Sequence, residues 1–250
     1  MLKHERHKRI LDQLSTDKKI NFVELAQLMN VSYDSIRRDV IELEDKGFLK
    51  KVHGGAVANS YLSRLAGNGN STSKNQDFQT IFKKIIPTLE TSRTVLFDGG
   101  TTNFYIAEHF PKYLSTTVIT NNVPLAMILN DHPKVEVILL GGTYFKRYQI
   151  TMGFDLIRQL KNFKVDTYFM GTNGISVENG LTIRHHEESL LKQHMMSIAS
   201  DVVCCSIDEK IGNVETYRIC EMNQISTLAT NLKPNHELLL PFHGKVQQIL

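Results

Sequence analysis

The sequence predicts an α/β fold in two parts, and three observations lead to it. Residues 1–57 contain three short helix-like segments and a basic hairpin. A polar stretch rich in Gly, Asn and Ser follows. From residue 77 onward, short apolar runs alternate with amphipathic helical segments, as they do where helices join parallel strands. We therefore expect a small helical domain with a hairpin, followed by a Rossmann-like, mostly parallel α/β domain.

The segment 31–57 is the most informative part of the N-terminal region. Ser32 is a good N-cap for a short helix, because its hydroxyl can accept from a free backbone N–H of the first turn. Asp34 places negative charge at the positive end of the helix dipole. Gly47, which tolerates left-handed backbone angles, is expected to end this helix. The helix carries one apolar stripe, formed by Ile36, Val40 and Leu43.

Two more helices and a hairpin accompany this segment. Residues 3–14 and 22–29 are predicted helices, and a tight turn joins the second to the third. Residues 48–52 are expected to form a strand and 53–55 a turn. These parts make a winged helix-turn-helix, whose third helix enters the DNA major groove. The apolar residues expected to face inward on the first two helices are Ile10, Leu11, Leu14, Leu25 and Leu28.

Arg37 and Arg38 lie off the apolar stripe of the third helix and should project away from the core. An Arg pair is often a solvated helix face, but its place between a polar first turn and a basic hairpin favours DNA contact. Arginine pairs with guanine edges and with phosphates. The helix residues expected to contact double-stranded operator DNA are Ser32, Tyr33, Ser35, Arg37 and Arg38, with Tyr33 and Ser35 nearest the bases. In the hairpin, the residues expected to contact phosphates are Lys50, Lys51 and His53.

Charge and composition indicate an ordinary globular protein with a locally basic head. The chain is 41% hydrophobic and 22% charged. Its net charge is +3, and residues 1–57 carry 11 Lys/Arg against 9 Asp/Glu, which leaves +1 for the rest. DNA binding should therefore depend on local patches, on salt and on two heads per complex. We divide the chain into a DNA-binding domain (1–57), a linker (58–76) and a second domain (77–250).

The second domain alternates predicted helices and strands. Pro87 is expected to disturb the end of the first helix. The predicted strands cover 94–97, 117–119, 135–140, 166–170 and 202–206, with two short ones near 227–229 and 246–249. The predicted helices cover 77–90, 103–109, 124–129, 154–160 and 186–199, the last with Leu190, Leu191, His194, Met195 and Ile198 along one side.

Small polar residues follow the predicted strands. In open α/β sheets, ligands bind beyond the carboxyl ends of the strands, and free N–H groups at helix starts bind anions. Loops commonly carry glycine, but repeated endings of this kind on one edge favour a ligand site. The residues expected to line this site are Asp98, Gly99, Gly100, Thr101, Thr102, Asn121, Asn122, Gly141, Gly142 and Lys210. Among them, the Thr hydroxyls and Lys210 suit a phosphate, whereas Asp98, Asn121 and Asn122 suit sugar hydroxyls.

Both halves resemble one family. The run VSYDSIRRDV…LEDKGFLKKVHGGAV resembles the signature of the DeoR family of bacterial transcription regulators, with Ser35 where the family usually has Thr. DGGTT, TNN and VILLGG resemble segments of the family's second domain, and DEKIG resembles another but is one residue shorter. NGLTIRHHEESLLKQHM resembles a run that places Glu188 and Lys192 at the family's Glu and Lys. The resemblance implies a sugar-phosphate-isomerase-like domain that binds a phosphorylated sugar as effector.

Two functions of different kinds follow. The first is a DNA-binding repressor of a sugar-utilisation operon, with a second domain that forms dimers or tetramers and binds a sugar phosphate. The alternative is a sugar-phosphate isomerase-like enzyme with a DNA-binding head, using Glu188 and Asp98 as acid/base groups. No catalytic dyad is recognisable, and the resemblance implies binding without turnover and no cofactor. The sequence specifies neither the sugar nor the operator.

Other kinds of site have weaker support. Three cysteines without CxxC spacing predict reduced thiols, with Cys204 and Cys205 in the core of a strand. His185, His186 and His194 lack further ligands at metal-binding spacing, so we expect no metal site. The N-terminus lacks a signal-peptide apolar core, and no apolar run is long enough to span a membrane. We therefore expect a cytoplasmic protein.

Overall fold

The chain forms two compact units, Met1–Asn70 and Ser71–Leu250. The computed structural model describes residues 3–17, 19–45, 49–52, 54–58, 72–146 and 148–250. Each unit encloses apolar clusters of its own, as expected of independent domains.

The N-terminal unit is a winged helix-turn-helix. Its described elements are α1 (Lys3–Asp17), β1 (Lys19–Asn21), α2 (Phe22–Met29), α3 (Tyr33–Asp45), β2 (Leu49–Val52) and β3 (Gly55–Ala58). The strands form an antiparallel sheet in the order β1-β3-β2. Asn30 ends α2 with a φ of 52°, which lets the chain turn at once into α3. The core contains Ile10, Leu14, Phe22, Leu25, Met29, Ile36, Val40, Leu43 and Leu49.

Three details of this unit differ from expectation. Leu28 is 66% exposed, because the buried face of α2 is formed instead by Phe22, Leu25, Ala26 and Met29. The strand β1 was not expected. Gly55 lies in β3 and not in a turn, and a Cβ at this residue would be 2.1 Å from the carbonyl oxygen of Ile20. Glycine is thus required for β3 to approach β1. The predicted helix end at Gly47 lies outside the described residues.

The C-terminal unit is built on a parallel sheet. Among the described residues, this sheet contains seven strands: β4 (Thr94–Phe97), β5 (Thr116–Thr120), β6 (Val135–Leu139), β9 (Val165–Met170), β12 (Ala199–Ser206), β14 (Thr227–Thr230) and β15 (Gln248–Ile249). They run in the order β15-β14-β12-β9-β4-β5-β6, and each is parallel to its neighbours. The predicted α/β architecture is confirmed. The order reverses between β4 and β9, because β5 and β6 lie on one side of β4 and all later strands lie on the other.

Helices cover both faces of this sheet, and one apolar cluster fills the space on each side. The helices are α4 (Thr72–Thr91), α5 (Thr101–Glu108), α6 (Val123–Ile128), α7 (Phe154–Leu160) and α8 (His186–Ser197). Short 3-10 helices span Asp208–Lys210, Met222–Gln224 and Glu237–Phe242.

Several features of the C-terminal unit were not expected. An antiparallel hairpin joins β7 (Thr143–Phe145) to β8 (Ile150–Met152), and a second small sheet contains β10 (Gly174–Ser176), β11 (Gly180–Ile183) and β13 (Tyr217–Cys220). Both are separate from the main sheet and have short strands, which carry too few residues to give a clear apolar period.

Two helices differ from the predicted pattern. α4 begins at Thr72, within the segment assigned to the linker, and continues through Pro87 to Thr91. The buried side of α8 carries Lys192, which is 1% exposed, whereas Leu190 is 42% exposed. Leu191 and Met195 are buried as expected, so the predicted stripe is wrong at Leu190 and lacks Lys192.

The described residues contain no helix long and apolar enough to cross a membrane. In the same part of the chain, His, Cys, Asp and Glu side chains form no group of three or more that could hold a metal ion. Cys204, Cys205 and Cys220 are buried free thiols.

Candidate nucleic-acid interface and ligand site

The first turn of α3 is held by two serines. Ser32 Oγ accepts from the backbone N–H of Ser35 at 3.2 Å and lies 2.9 Å from Ser35 Oγ. Both hydroxyls therefore take part in capping the helix, as predicted for Ser32. Beyond this turn Arg37 and Arg38 are exposed, and Arg38 Nε donates to the carbonyl oxygen of Asp34 at 3.3 Å. Tyr33 is 44% exposed and packs edge-on against Phe22.

Asp39, the residue after the two arginines, is buried and was not singled out from the sequence. It accepts from Arg6 Nε at 2.6 Å and Arg6 Nη2 at 3.1 Å, and it lies 3.2 Å from His7 Nε2. The hydrogen bond to Asp39 raises the pKa of Arg6, which stays charged. This pair joins α1 to α3 across the core. The helical spacing in the sequence indicated this burial, because Asp39 follows Ile36 by three residues and so lies on the same inward face.

The wing is attached to the end of α3. The backbone N–H of Lys51 donates to Glu44 Oε1 at 2.9 Å, and Lys50 pairs with Val57 between β2 and β3. The Lys50 side chain and the whole of His53 lie outside the described residues. The exposed Arg37 and Arg38 and the hairpin that carries Lys51 thus supply the cationic groups expected of a DNA-reading head.

In the C-terminal unit, the predicted ligand residues of the first strand lie where the strand order reverses. Open α/β sheets bind ligands at this switch point. Gly99 and Gly100 follow β4 and meet Gly171, which follows β9: a Cβ on Gly171 would be 2.9 Å from the Gly99 carbonyl oxygen. Gly100 has a φ of 147° and leads directly into α5, whose first N–H groups have no side-chain cap from that residue. Thr101 and Thr102 form the first turn of this helix. A helix start of this kind attracts anions.

Asp98 is the centre of a buried polar cluster. It accepts from Asn103 Nδ2 at 2.8 Å, Tyr168 OH at 2.5 Å, the Gly171 N–H at 3.0 Å, and Lys192 Nζ. Asp98 is 2% exposed and Lys192 is 1% exposed. With four donors on one carboxylate, Asp98 has no acceptor capacity left for a sugar hydroxyl, which corrects our expectation for this residue.

Lys192 joins Asp98 to Glu188, whose carboxylate lies 3.7 Å from the ammonium. Burial acts to lower the pKa of Lys192, but the carboxylates of Asp98 and Glu188 outweigh it and raise the pKa. Burial raises the pKa of Glu188, although the charge of Lys192 opposes this. Burial also raises the pKa of Tyr168 well above its ordinary value, and the charge of Asp98 adds to the effect. The tyrosine therefore acts as a hydrogen-bond donor here.

The amides after β5 have structural tasks. Asn122 Oδ1 accepts from the Leu125 N–H at 3.0 Å and caps α6, and its expected contact with a sugar hydroxyl stays a prediction. Asn121 Nδ2 donates to the Thr151 carbonyl oxygen at 2.8 Å, while its Oδ1 is buried without a hydrogen-bond partner. Asn121 therefore keeps one acceptor that a ligand can use.

The two glycines after β6 lie against α7 and the β8 strand. The Gly141 N–H donates to Gln159 Oε1 at 3.0 Å, and a Cβ on Gly142 would be 2.5 Å from the Met152 carbonyl oxygen. Packing thus explains both glycines, and their place in the lining of a ligand site stays a prediction.

Lys210 reaches across the carboxyl edge of the sheet. Its Nζ donates to the Thr172 carbonyl oxygen at 2.6 Å, just beyond β9. Burial lowers the pKa of this half-buried lysine. Lys210 therefore lies on the same edge as Gly99 and Gly100.

Four buried polar atoms in the described part of the chain have no hydrogen-bond partner: Thr102 Oγ1, Asn103 Oδ1, Asn121 Oδ1 and Gln149 Oε1. Such atoms are costly unless something satisfies them. Thr102 and Asn103 belong to the first turn of α5, and Asn121 follows the neighbouring strand, so at least three of the four share the carboxyl edge of the sheet. A polar ligand at this edge would supply the hydrogen bonds that these atoms lack.

Comparisons with known proteins agree with this arrangement. The family described as "DeoR-like helix-turn-helix domain" matches residues 6–61. The family described as "DeoR C terminal sensor domain" matches residues 74–232. The chain belongs to the DeoR family. The family prediction made from the sequence is confirmed, and this DeoR-family protein is a DNA-binding transcriptional regulator.

Three curated relatives span most of this DeoR-family chain. The HTH-type transcriptional repressor GlcR of Bacillus subtilis (strain 168) is 30% identical over 94% of the chain and 91% of its own length. The HTH-type transcriptional regulator GlpR of Haloferax volcanii is 31% identical over 92% and 91%. The lactose phosphotransferase system repressor of Staphylococcus epidermidis is 28% identical over 92% and 93%.

Proposed function

We propose that this DeoR-family regulator represses a sugar-utilisation operon and that a phosphorylated sugar modulates its DNA binding. The observation that carries the proposal is the set of unsatisfied buried polar atoms on the carboxyl edge of the sheet, next to the uncapped start of α5. Two of the relatives are named as repressors, GlcR and the lactose phosphotransferase system repressor, which supports the direction of control.

The chemistry of this edge fits a sugar phosphate. The N–H groups of the first turn of α5, with the Thr102 hydroxyl, suit a phosphate. Lys210 supplies a positive charge nearby, and Asn121 Oδ1 supplies an acceptor for a sugar hydroxyl. Lys192 pairs with both Asp98 and Glu188 beside this edge and so orients Asp98. Asp98 in turn fixes the Gly171 backbone.

Regulation requires the effector to bind the DNA-competent and DNA-incompetent states with different affinities. We expect the regulator to act as a dimer or tetramer, since paired operator half-sites require two heads. We place it in the cytoplasm, where the operator is available.

The test is fluorescence anisotropy of the full chain with labelled DNA from upstream of its own and adjacent genes, at several salt concentrations. Phosphorylated sugars and the matching free sugars are then added. The proposal expects tight, salt-sensitive binding that one sugar phosphate releases and its free sugar does not. Binding that no sugar phosphate alters would remove the effector part, and strengthened binding would reverse the sign of control.

Arg38→Ala tests the assignment of the DNA-reading face in the same assay. We expect loss of specific binding with sugar-phosphate affinity intact, because Arg38 is exposed on α3 in the other compact unit. Arg158→Ala is the matched control, since Arg158 is an exposed arginine of the C-terminal unit. Specific binding retained by Arg38→Ala at moderate salt would remove Arg38 from the interface.

A second candidate, sugar-phosphate isomerisation, is favoured by one observation, the raised pKa of Glu188 beside the ligand edge. We nevertheless propose binding without turnover, because Asp98, the other acid/base candidate, is saturated by four donors. Incubating purified protein with sugar phosphates and following isomer formation tests this. Turnover that disappears in Glu188→Gln would establish the enzyme instead.

A further inference from the structure

We propose that Gln149, in the turn between β7 and β8, contacts the effector and selects its sugar part, while the start of α5 holds the phosphate. This inference rests on the proposed effector binding. It assigns a role to a residue and a hairpin that the sequence did not single out.

The turn is attached to the same edge of the sheet as the other site residues. The Gln149 carbonyl oxygen accepts from the Val123 N–H at 3.1 Å, at the start of α6. The Gln149 N–H donates to the Phe145 carbonyl oxygen at 2.8 Å and closes the turn. The next residue, Ile150, forms a bridge with Asn122.

The hairpin also touches the loop that leads into α5. A Cβ on Gly99 would be 2.8 Å from Ile150 Cγ2, so the residue after Gln149 packs directly on this loop. Thr151 exchanges hydrogen bonds with Asn121, from its N–H to the Asn121 carbonyl oxygen and from Asn121 Nδ2 to its own carbonyl oxygen, both at 2.8 Å. Gln149 is therefore followed directly by two residues that contact Gly99 and Asn121 of the candidate site.

Tyr148, the residue before Gln149, contacts the start of α8. Tyr148 OH lies 2.5 Å from His185 Nε2, and the two rings have centroids 5.0 Å apart. His185 is the N-cap residue of α8, and Glu188 lies in the first turn of that helix. The turn thus spans from the α5 and α6 starts to the start of α8, above the carboxyl edge of the sheet.

Two features of Gln149 itself indicate a ligand contact. Its Oε1 is buried and accepts no hydrogen bond from the described residues. Its φ is 54°, a left-handed value that is uncommon for residues other than glycine, asparagine and aspartate. Asn30 has a similar φ, but it ends a helix, where this conformation is common. A strained backbone with an unsatisfied side chain is typical of residues kept for binding.

The acceptor oxygens that lack a hydrogen-bond partner indicate the chemistry of the ligand. The unpaired amide oxygens of Gln149 and Asn121 both require hydrogen-bond donors, and a phosphate dianion has none to offer. Hydroxyl groups do. A ligand whose phosphate lies at the start of α5 would direct its hydroxyl-bearing carbons towards these amides, so Gln149 distinguishes a polyol phosphate from phosphate alone.

The experiment is isothermal titration calorimetry of the full chain with four probes: inorganic phosphate, glycerol 3-phosphate, fructose 1-phosphate and glucose 6-phosphate. Gln149→Gly removes the amide and accepts the left-handed φ, so it should fold as well as the wild type. Gln149→Asn keeps a shorter amide in a residue that tolerates this φ. Gln79→Ala, at an exposed residue of α4, is the matched control.

We expect Gln149→Gly to weaken the tightest sugar phosphate about tenfold, the loss of one good hydrogen bond. Inorganic phosphate affinity should stay within about twofold, the melting temperature should not fall, and Gln149→Asn should lie between. Equal losses for phosphate and sugar phosphate, or unchanged affinity in Gln149→Gly, would overturn the assignment of Gln149 alone. A wild-type protein that binds none of the probes would refute the proposed effector class and this inference with it.

Discussion

Removing Lys192 should destabilise the C-terminal unit strongly, because the substitution leaves two carboxylates without their cation. Lys192 and Asp98 are 1% and 2% exposed, and the half-buried Glu188 lies 3.7 Å from the same ammonium. Breaking a buried ion pair on one side costs about 3–5 kcal/mol. Three donors to Asp98 remain, from Asn103, Tyr168 and Gly171, so we expect Lys192→Met near the lower end of that range.

A double-mutant cycle separates the pair from the packing of the lysine stem. Asp98→Asn should also cost about 3 kcal/mol, whereas Asp98→Asn with Lys192→Met removes both charges and should cost about 2 kcal/mol less than the sum. The chain has no tryptophan, so urea unfolding is followed by far-UV circular dichroism. Ile36→Ala, in the head core, marks the transition of the other unit. Additive costs, or a loss below about 1 kcal/mol for Lys192→Met, would refute this account of the cluster.

Three further outcomes follow. Folding raises the pKa of Glu188 above 4.5, so above that pH the charged carboxylate destabilises the folded state. Glu188→Gln should therefore raise the stability at pH 7, and this gain should vanish as the pH falls below 4.5. Thermal melts of both proteins across this pH range measure the difference. Ser32→Ala removes the N-cap hydrogen bond and should cost about 1 kcal/mol in urea unfolding of the head, whereas Ser32→Asp should restore it. Gly55→Ala forces a Cβ against the Ile20 carbonyl oxygen and should cost about 3 kcal/mol in the same measurement; an unchanged midpoint would mean that β1 moves freely away from β3.

Local patterns in the chain were enough to predict most of the secondary structure. Ser32, the Ile36–Val40–Leu43 spacing and the basic hairpin predicted the winged helix-turn-helix, because capping and helical periodicity depend on residues a few positions apart. The strand at 94–97 and the helix at 154–160 match their predicted bounds. Apolar runs bounded by polar residues are a local signal of buried parallel strands.

Which polar residues face a ligand was decided only by tertiary contacts. The sequence placed Asp98, Asn121, Asn122, Gly141 and Gly142 in one edge site. The fold then used Asp98 to hold Lys192, Asn122 to cap α6 and the two glycines to pack against β8 and α7. A polar residue after a strand has the same sequence signature in either role, and only its partners distinguish them.

The same reason explains the contacts that the sequence did not reveal. Asp39 meets Arg6 from a helix 33 residues away, and Lys192 meets Asp98 across 94 residues of chain. The hairpin that presents Gln149 is defined by pairing between strands of three residues each, too short for a periodic signal. The sequence thus determined the family, the two-part architecture and the edge of the sheet at which we propose that a ligand binds. Long-range pairing decided which side chains remain free to bind it, because burial and hydrogen-bond satisfaction exist only once the chain has folded.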